Sequence, residues 1–334
     1  MIVIIIILIL FLSYFLVYTP ILECYNRAFP PILSRFHQVF YIAKTPLKPL
    51  KSSIKKFKQD ETLPDFFIYN PKYFSEVRNQ GRCGSCWSFV ICSMLSANIT
   101  TKIIKFGKNL NVEQLIACYP NVNPCDGEVP EDVLIWLEKT QFNITISNKY
   151  SEKKTKCIKS DNGINVQKNS IKSLCTYIPN ESQNTSNDVI NKNIYNMKMQ
   201  LLSSGPFFGS ISIYRDFLNF KGNGVYSHKI GDFIGGHAIE ITGWCDKGVD
   251  LREGYEDGYW ICKNSWGKEW SSEYDFPGYF AIKMGINECG IESRSGCADT
   301  NVDYILGDGK IASILFYDNY IDYITSILKN KKII

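Results

Sequence analysis

The chain opens on an almost unbroken apolar run, MIVIIIILILFLSYFLVY, long enough to engage the secretory machinery. A short helix interrupted by Pro30-Pro31 is expected within ILECYNRAFPPILSRFHQVFYIAK. The stretch TPLKPLKSSIKKFKQD, 45–60, is basic and reads as a solvated linker, with a compact body beginning near LPDFF, 63–67. From Cys86 to about Ile104, apolar side chains fall on several faces, the pattern of a buried helix. Gly81 and Gly84 break any helix before Cys86, which places Cys86 at its N-terminus. NVEQLIAC and VPEDVLIWLEK predict further helices, with Pro130 near a start. SISIY, HAIEITGW, GYWICK and GYFAIKM predict strands, being β-branched, aromatic and punctuated by glycine. The segment NKYSEKKTKCIKSDNGINVQKNS is polar and loop-like. Helices in the first half and strands in the second predict an α+β fold with two subdomains and a cleft between them.

Composition narrows the function. The 334 residues are 45 % hydrophobic and 21 % charged, ordinary for a globular protein. A net charge of +4 is too small to argue for nucleic acid. Twelve cysteines accompany four sequons, at Asn98, Asn143, Asn180 and Asn184. With the apolar run, these point to an oxidising, lumenal or extracellular setting. Arg27 and Arg35 follow that run and by the positive-inside rule favour a cytosolic body. The cysteines and sequons favour a lumenal one, which is the expectation here, with 1–18 as signal peptide or signal anchor.

GRCGSCWSFV, residues 81–90, carries Cys83 and Cys86 two residues apart. Three chemistries use that spacing. A redox pair requires an early βαβ unit, and no convincing strand precedes Cys83. A zinc site requires two more close ligands. No second such pair exists, and the three histidines, His37, His228 and His237, form no pair with a cysteine. The third reading is a structural half-cystine beside a nucleophile.

The run Cys83-Gly84-Ser85-Cys86-Trp87 matches the local signature of papain and cathepsin cysteine peptidases. IGGHAIEITGW then supplies His237, and YWICKNSWGKEW supplies Asn264. From LPDFF to NECGIES the chain resembles the papain-like cysteine peptidases. YRDFLNFKGNGVYSHKIGDFIGGHAIEITGW and GYFAIKMGINECGIES are most similar to cathepsin B. The resemblance implies a helical left subdomain (63–200) carrying the nucleophile and a β-barrel-like right subdomain (201–297) carrying histidine and asparagine. It also implies a short propeptide with basic linker (19–62), leaving a C-terminal extension (298–334) that it does not explain.

For activity, the resemblance implies a zymogen whose mature form is an endopeptidase of protein or peptide substrates. It implies no cofactor or metal, cystatin-type inhibitors as partners, a monomer, and a lysosome-like or secreted location. Any membrane contact would be through the apolar segment alone. Cys86 is the expected nucleophile, activated by the helix N-terminus and by His237. Asn264 orients His237, under the indole of Trp266. Gln80 and the Cys86 backbone N–H are the expected oxyanion donors. The resemblance pairs Cys83 with Cys125, and Cys118 with Cys157. Cys245 and Cys262 are further candidates to face each other across a strand pair, and Cys92 reads as a buried free thiol. His228 reads as a surface residue.

Two positions depart from the family pattern. The turn beginning at Cys125 reads CDGE, so Gly127 is followed by Glu128 where a glycine usually offers its backbone to substrate. NECGIESR places Arg294 where cathepsin B carries an acid at the base of its S2 pocket. That predicts rejection of arginine at P2 and acceptance of aliphatic or acidic residues. If Arg294 instead faces solvent or pairs with Glu128, the pocket is apolar. A non-catalytic family member is the alternative. Such members usually lose the nucleophile, whereas Cys86, His237, Asn264 and Gln80 are all present.

Overall fold

The computed structural model describes residues 48–58, 62–102, 107–120, 123–152, 155–179 and 187–301, with a few positions between 316 and 329. The apolar run, Cys24, the expected helix before residue 45 and the sequons at Asn180 and Asn184 lie outside them.

In chain order the elements are β1 (Phe66–Tyr69), α1 (Cys86–Lys102), α2 (Val112–Cys118), α3 (Pro130–Thr140), β2 (Asn165–Val166), β3 (Lys172–Ser173) and α4 (Asn187–Ser204). They continue with β4 (Phe207–Tyr214), β5 (Val225–Tyr226), β6 (Phe233–Cys245), β7 (Tyr259–Lys263), β8 (Tyr279–Lys283), β9 (Ser295–Cys297), β10 (Thr300–Asn301) and β11 (Phe316–Tyr317). The fold is α+β. Its main sheet runs β3-β9-β4-β6-β7-β8-β5, with β1 paired to β6. The two ends, β3 and β5, share no ladder among the described residues, so the sheet is open rather than a closed barrel.

Local chemistry accounts for the helices. α1 is buried on nearly every side, as its apolar faces require. Asn111 caps α2, its side chain accepting from Gln114 N at 3.0 Å. α3 starts at Pro130, with Glu131 and Asp132 in its positive first turn. α4 was not expected from the sequence. Its first turns are polar and its apolar residues are sparse.

β6 is the hub. It pairs with β4, β7 and β1, so the strand that carries His237 is buried between neighbours. At Gly243 the carbonyl oxygen of Phe67 would lie 2.4 Å from any Cβ, so β1 approaches β6 only because that position is glycine. The main core lies between α1 and one face of the sheet, with Trp87 fully buried at its centre. A smaller core lies under Phe66, Ile68 and Tyr259.

Two expectations are corrected here. Residues 48–58 are largely exposed, but they are tethered along the body rather than free as a linker. Glu131 accepts hydrogen bonds from the backbone N–H of Lys51 (2.7 Å) and Ser52 (2.8 Å). Lys51 pairs with Asp132, Lys55 N donates to Ser173 O at 2.8 Å, and Tyr195 Oη donates to Lys58 O. Short polar and basic residues here find fixed acceptors on α3, β3 and α4. Asn98 is also not a surface sequon. It is 2 % exposed within α1 and is bonded to Asp299 and Thr300.

The C-terminal extension contributes to the sheet. Tyr317 and Phe316 pair antiparallel with Ile68 and Tyr69 of β1, covering that edge. No helix among the described residues is long and apolar enough to cross a membrane.

Candidate active site

The position of the expected nucleophile is set by the start of α1. Cys86 is its first residue, and Ser85 accepts backbone bonds from Ser88 and Phe89. The Cys83–Cys125 disulfide and the bond from Gly84 N to Cys125 O (2.9 Å) tie this turn to the segment before α3. Trp87 Nε1 donates to Pro124 O at 3.1 Å, adding a third tie.

His237 lies on β6 and Asn264 immediately follows β7. His237 Nε2 stands 2.7 Å from Asn264 Oδ1. That oxygen also accepts from Ser265 N at 2.7 Å. A carboxamide oxygen only accepts, so Nε2 carries the proton and Nδ1 holds the free lone pair. Nδ1 makes no hydrogen bond among the described residues, although His237 is 2 % exposed. The Trp266 ring lies 4.6 Å from the His237 ring at 34°, half-buried and covering the contact.

The site brings β6 to α1 directly. The backbone N–H of Ala238, next to His237, is near enough to the Cys86 thiol to favour its charged form. Burial opposes charge on both groups. It pushes the Cys86 thiol up to about 11, against the lowering effect of the Ala238 and Trp87 N–H groups. It pulls the His237 imidazole down to about 4, against the Asn264 bond. Burial therefore disfavours the charged form of each group taken alone.

Gln80 is held from two sides. Its Oε1 accepts from Ser265 Oγ at 2.7 Å and its Nε2 donates to Cys83 O at 2.9 Å. One N–H of the amide remains for another acceptor. Backbone bonds from Gln80 N to Ser265 O (2.8 Å) and from Gly267 N to Arg78 O (3.1 Å) zip this loop to the Asn264 loop. The sequence did not single out Ser265. Its place after Asn264, opposite Gln80, is visible only in the fold.

Gly127 adopts φ 99°, in the left-handed region that favours glycine, and leads into Glu128 on the rim. Burial, reinforced by the like charge of Asp132, raises the Glu128 carboxyl above the ordinary range. Arg294 is 2 % exposed, so it does not face solvent. Its guanidinium lies 5.7 Å over the Tyr177 ring and against Gly290, where an added Cβ would meet Nη1 at 2.1 Å.

The second disulfide joins Cys118 and Cys157. Cys245 and Cys262 are both free thiols. Cys245 is opposite Tyr259 and Cys262 opposite Ile241, so the two lie several positions apart along the β6–β7 ladder. Cys92 is a buried free thiol. His228 is not a bare surface residue. Its Nδ1 lies 3.1 Å from Asp216, and its ring stacks on Tyr214 at 3.7 Å. No group of three His, Cys, Asp or Glu among the described residues is arranged to hold a metal.

A thiol at a helix start, a buried imidazole with one free nitrogen on the adjoining strand, and an amide orienting that ring are a set of groups capable of nucleophilic attack on a carbonyl. Residues 65–298 match the domain described as papain family cysteine protease, and the chain belongs to that family. Its relatives include enzymes of the cathepsin B type. It is 30 % identical over 235 residues to a gut-specific cysteine proteinase of Caenorhabditis elegans, covering 65 % of this chain and 66 % of that one, just under two thirds. It is 28 % identical over 252 residues to cathepsin B-like CP2 of Giardia intestinalis, covering 72 % and 75 %. In fold it is similar to procathepsin B S9 of Trypanosoma congolense, with TM-score 0.62 and 20 % identity over 80 % of this chain and 88 % of that one. A digestive procathepsin L2 of Tenebrio molitor gives 0.60 and 22 % identity, covering 79 % of each.

Proposed function

We propose that the mature protein is a cysteine endopeptidase acting through Cys86, His237 and Asn264, with Gln80 in the oxyanion hole. The observation that carries this is the polarity of the histidine. Asn264 holds the proton on Nε2, which leaves Nδ1 as the only basic nitrogen of the ring, on a strand whose next residue, Ala238, lies near the Cys86 thiol.

Proton transfer from Cys86 to Nδ1 gives a thiolate and an imidazolium. Each charge is costly alone in this buried site, and each is the other's counterion. The thiolate attacks the peptide carbonyl carbon, and the carbonyl oxygen takes the negative charge. Gln80 Nε2 and the Cys86 backbone N–H receive it. His237 then passes its proton to the leaving amine, and a thioester remains on Cys86. Water hydrolyses the thioester with His237 as base.

Residues 48–58, bound along α3, β3 and α4, support manufacture as a zymogen whose leader segment is removed. The sequons and disulfides support passage through the secretory pathway. Residues 141–152 pack on the cleft floor, with Tyr150 Oη donating to Gln80 O at 2.8 Å and Arg82 N donating to Glu152 at 2.9 Å. No histidine lies between Cys86 and His228. The histidine-bearing loop by which cathepsin B captures a substrate carboxylate thus has no counterpart in this segment, which favours internal cleavage. The test is hydrolysis of a fluorogenic peptide amide by the processed protein. Activity that survives Cys86→Ala would refute the reading.

A further inference from the structure

Behind the catalytic residues, four polar side chains close into a ring across the two halves of the molecule. Glu240 on β6 and Lys263 on β7 are register partners. Lys263 Nζ stands 3.7 Å from Glu240 Oε2. It donates to Ser75 O at 2.5 Å, to Ser75 Oγ at 3.1 Å and to Ser93 Oγ at 2.9 Å. Ser93 Oγ in turn donates to Glu240 Oε2 at 2.5 Å. Glu240 is 3 % exposed and Lys263 6 %.

The placement of this ring ties it to the chemistry. Lys263 directly precedes Asn264, and Glu240 follows His237 by three residues on the same strand. Ser93 lies seven residues after Cys86 on α1, two helical turns away on the same face. α1 and β6 therefore meet at two levels. At one, the Ala238 backbone N–H lies near the Cys86 thiol. At the other, Ser93 donates to Glu240. A cavity bordered by Glu76, Arg78, Cys92 and Asn264 adjoins the second level, so apolar packing alone does not hold the halves together there.

We propose that Glu240 and Lys263 are positioning residues, whose ion pair, clasped by Ser93 and Ser75, sets the separation of Cys86 from the His237–Asn264 couple. The proposal rests on the peptidase reading above. The ion pair fixes β6 against β7 next to Asn264, and Ser93 fixes both to the helix of the nucleophile. Neutralising one member leaves the other buried without its counterion, which relaxes the seam. A displacement of about 1 Å at the reacting groups costs on the order of 100-fold in rate.

The test uses the processed enzyme and three measurements: kcat and KM on a peptide amide, the pH profile of Cys86 alkylation by iodoacetamide, and thermal unfolding. Glu240→Gln should lower kcat by about 10- to 100-fold, with KM unchanged within about twofold. Its alkylation profile should lose part of the acid-side plateau that reports the thiolate–imidazolium pair. The neutral double variant Glu240→Gln/Lys263→Met should recover activity beyond the product of the two single effects, because it leaves no buried lone charge. Ser93→Ala keeps the ion pair and cuts only its link to α1, so it decides the matter should Glu240→Gln fail to fold. A Ser93→Ala enzyme with the wild-type kcat and alkylation profile would overturn the proposal, as would a folded Glu240→Gln enzyme behaving like wild type. Failure of the peptidase reading is distinct: the wild-type protein would then hydrolyse no peptide at all.

Discussion

His237 Nε2 donates to Asn264 Oδ1 across 2.7 Å, and this one bond leaves Nδ1 as the ring nitrogen with a free lone pair. His237→Ala removes the base and the acid together, so most of the rate should disappear. Asn264→Ala removes orientation alone and should leave a measurable remainder, roughly 10- to 100-fold below wild type but well above His237→Ala. Steady-state kinetics on one peptide amide checks the ranking. Equal losses would mean that Asn264 does more than orient the ring.

The zymogen reading predicts a difference between precursor and processed enzyme. Burial raises the Cys86 thiol and lowers the His237 imidazole, so each resists charge unless the other charges with it, and on this reading the pair forms only after processing. Alkylation of Cys86 in the precursor should therefore be slow at pH 7 and rise only toward high pH. In the processed enzyme the ion pair should give fast alkylation over a plateau, and kcat/KM should be bell-shaped. Identical profiles for the two forms would contradict this.

Much of the site is legible in the sequence, because Cys86, His237 and Asn264 each sit in a short motif whose chemistry demands that residue type. The Cys83–Cys125 and Cys118–Cys157 bridges follow from the family resemblance. Cys245 and Cys262 do not face each other because the register of β6 on β7, which sets Cys262 against Ile241, cannot be read from spacing alone. α4 escaped notice because its buried residues include Asn193, Asn196 and Gln200, polar groups satisfied by distant partners such as Thr176, Leu174 and Lys55. Residues 48–58 look like a solvated linker by composition. What fixes them is the Glu131 carboxylate, about eighty residues away in sequence.

That carboxylate gives a prediction of its own. Glu131→Ala leaves the Lys51 and Ser52 N–H groups without their charged acceptor, and bonds of that kind contribute about 1.5–3 kcal/mol each. The segment 48–58 should open more often, and limited trypsin digestion at Lys55, Lys56 and Lys58 should speed up by at least about tenfold. Digestion at the wild-type rate would show that the contacts to β3 and α4 suffice.

Arg294 bears on substrate choice. It is buried, beside Tyr177 and Gly290, at the position the cathepsin B resemblance assigns to the S2 pocket. A matched peptide panel varied only at P2 should show leucine, valine or phenylalanine preferred and arginine rejected, since like charges in a desolvated cleft cost several kcal/mol. Arg294→Glu should raise the rate with P2 arginine. An unchanged ranking would remove Arg294 from the pocket.

Labelling of the processed protein by an epoxysuccinyl inhibitor tests the central claim most directly, with the modified residue located by peptide mass spectrometry. One inhibitor molecule should be bound per chain, on Cys86, and labelling should vanish in Cys86→Ala. Label on another of the free cysteines, or undiminished labelling of Cys86→Ala, would contradict the assignment of Cys86 as the nucleophile.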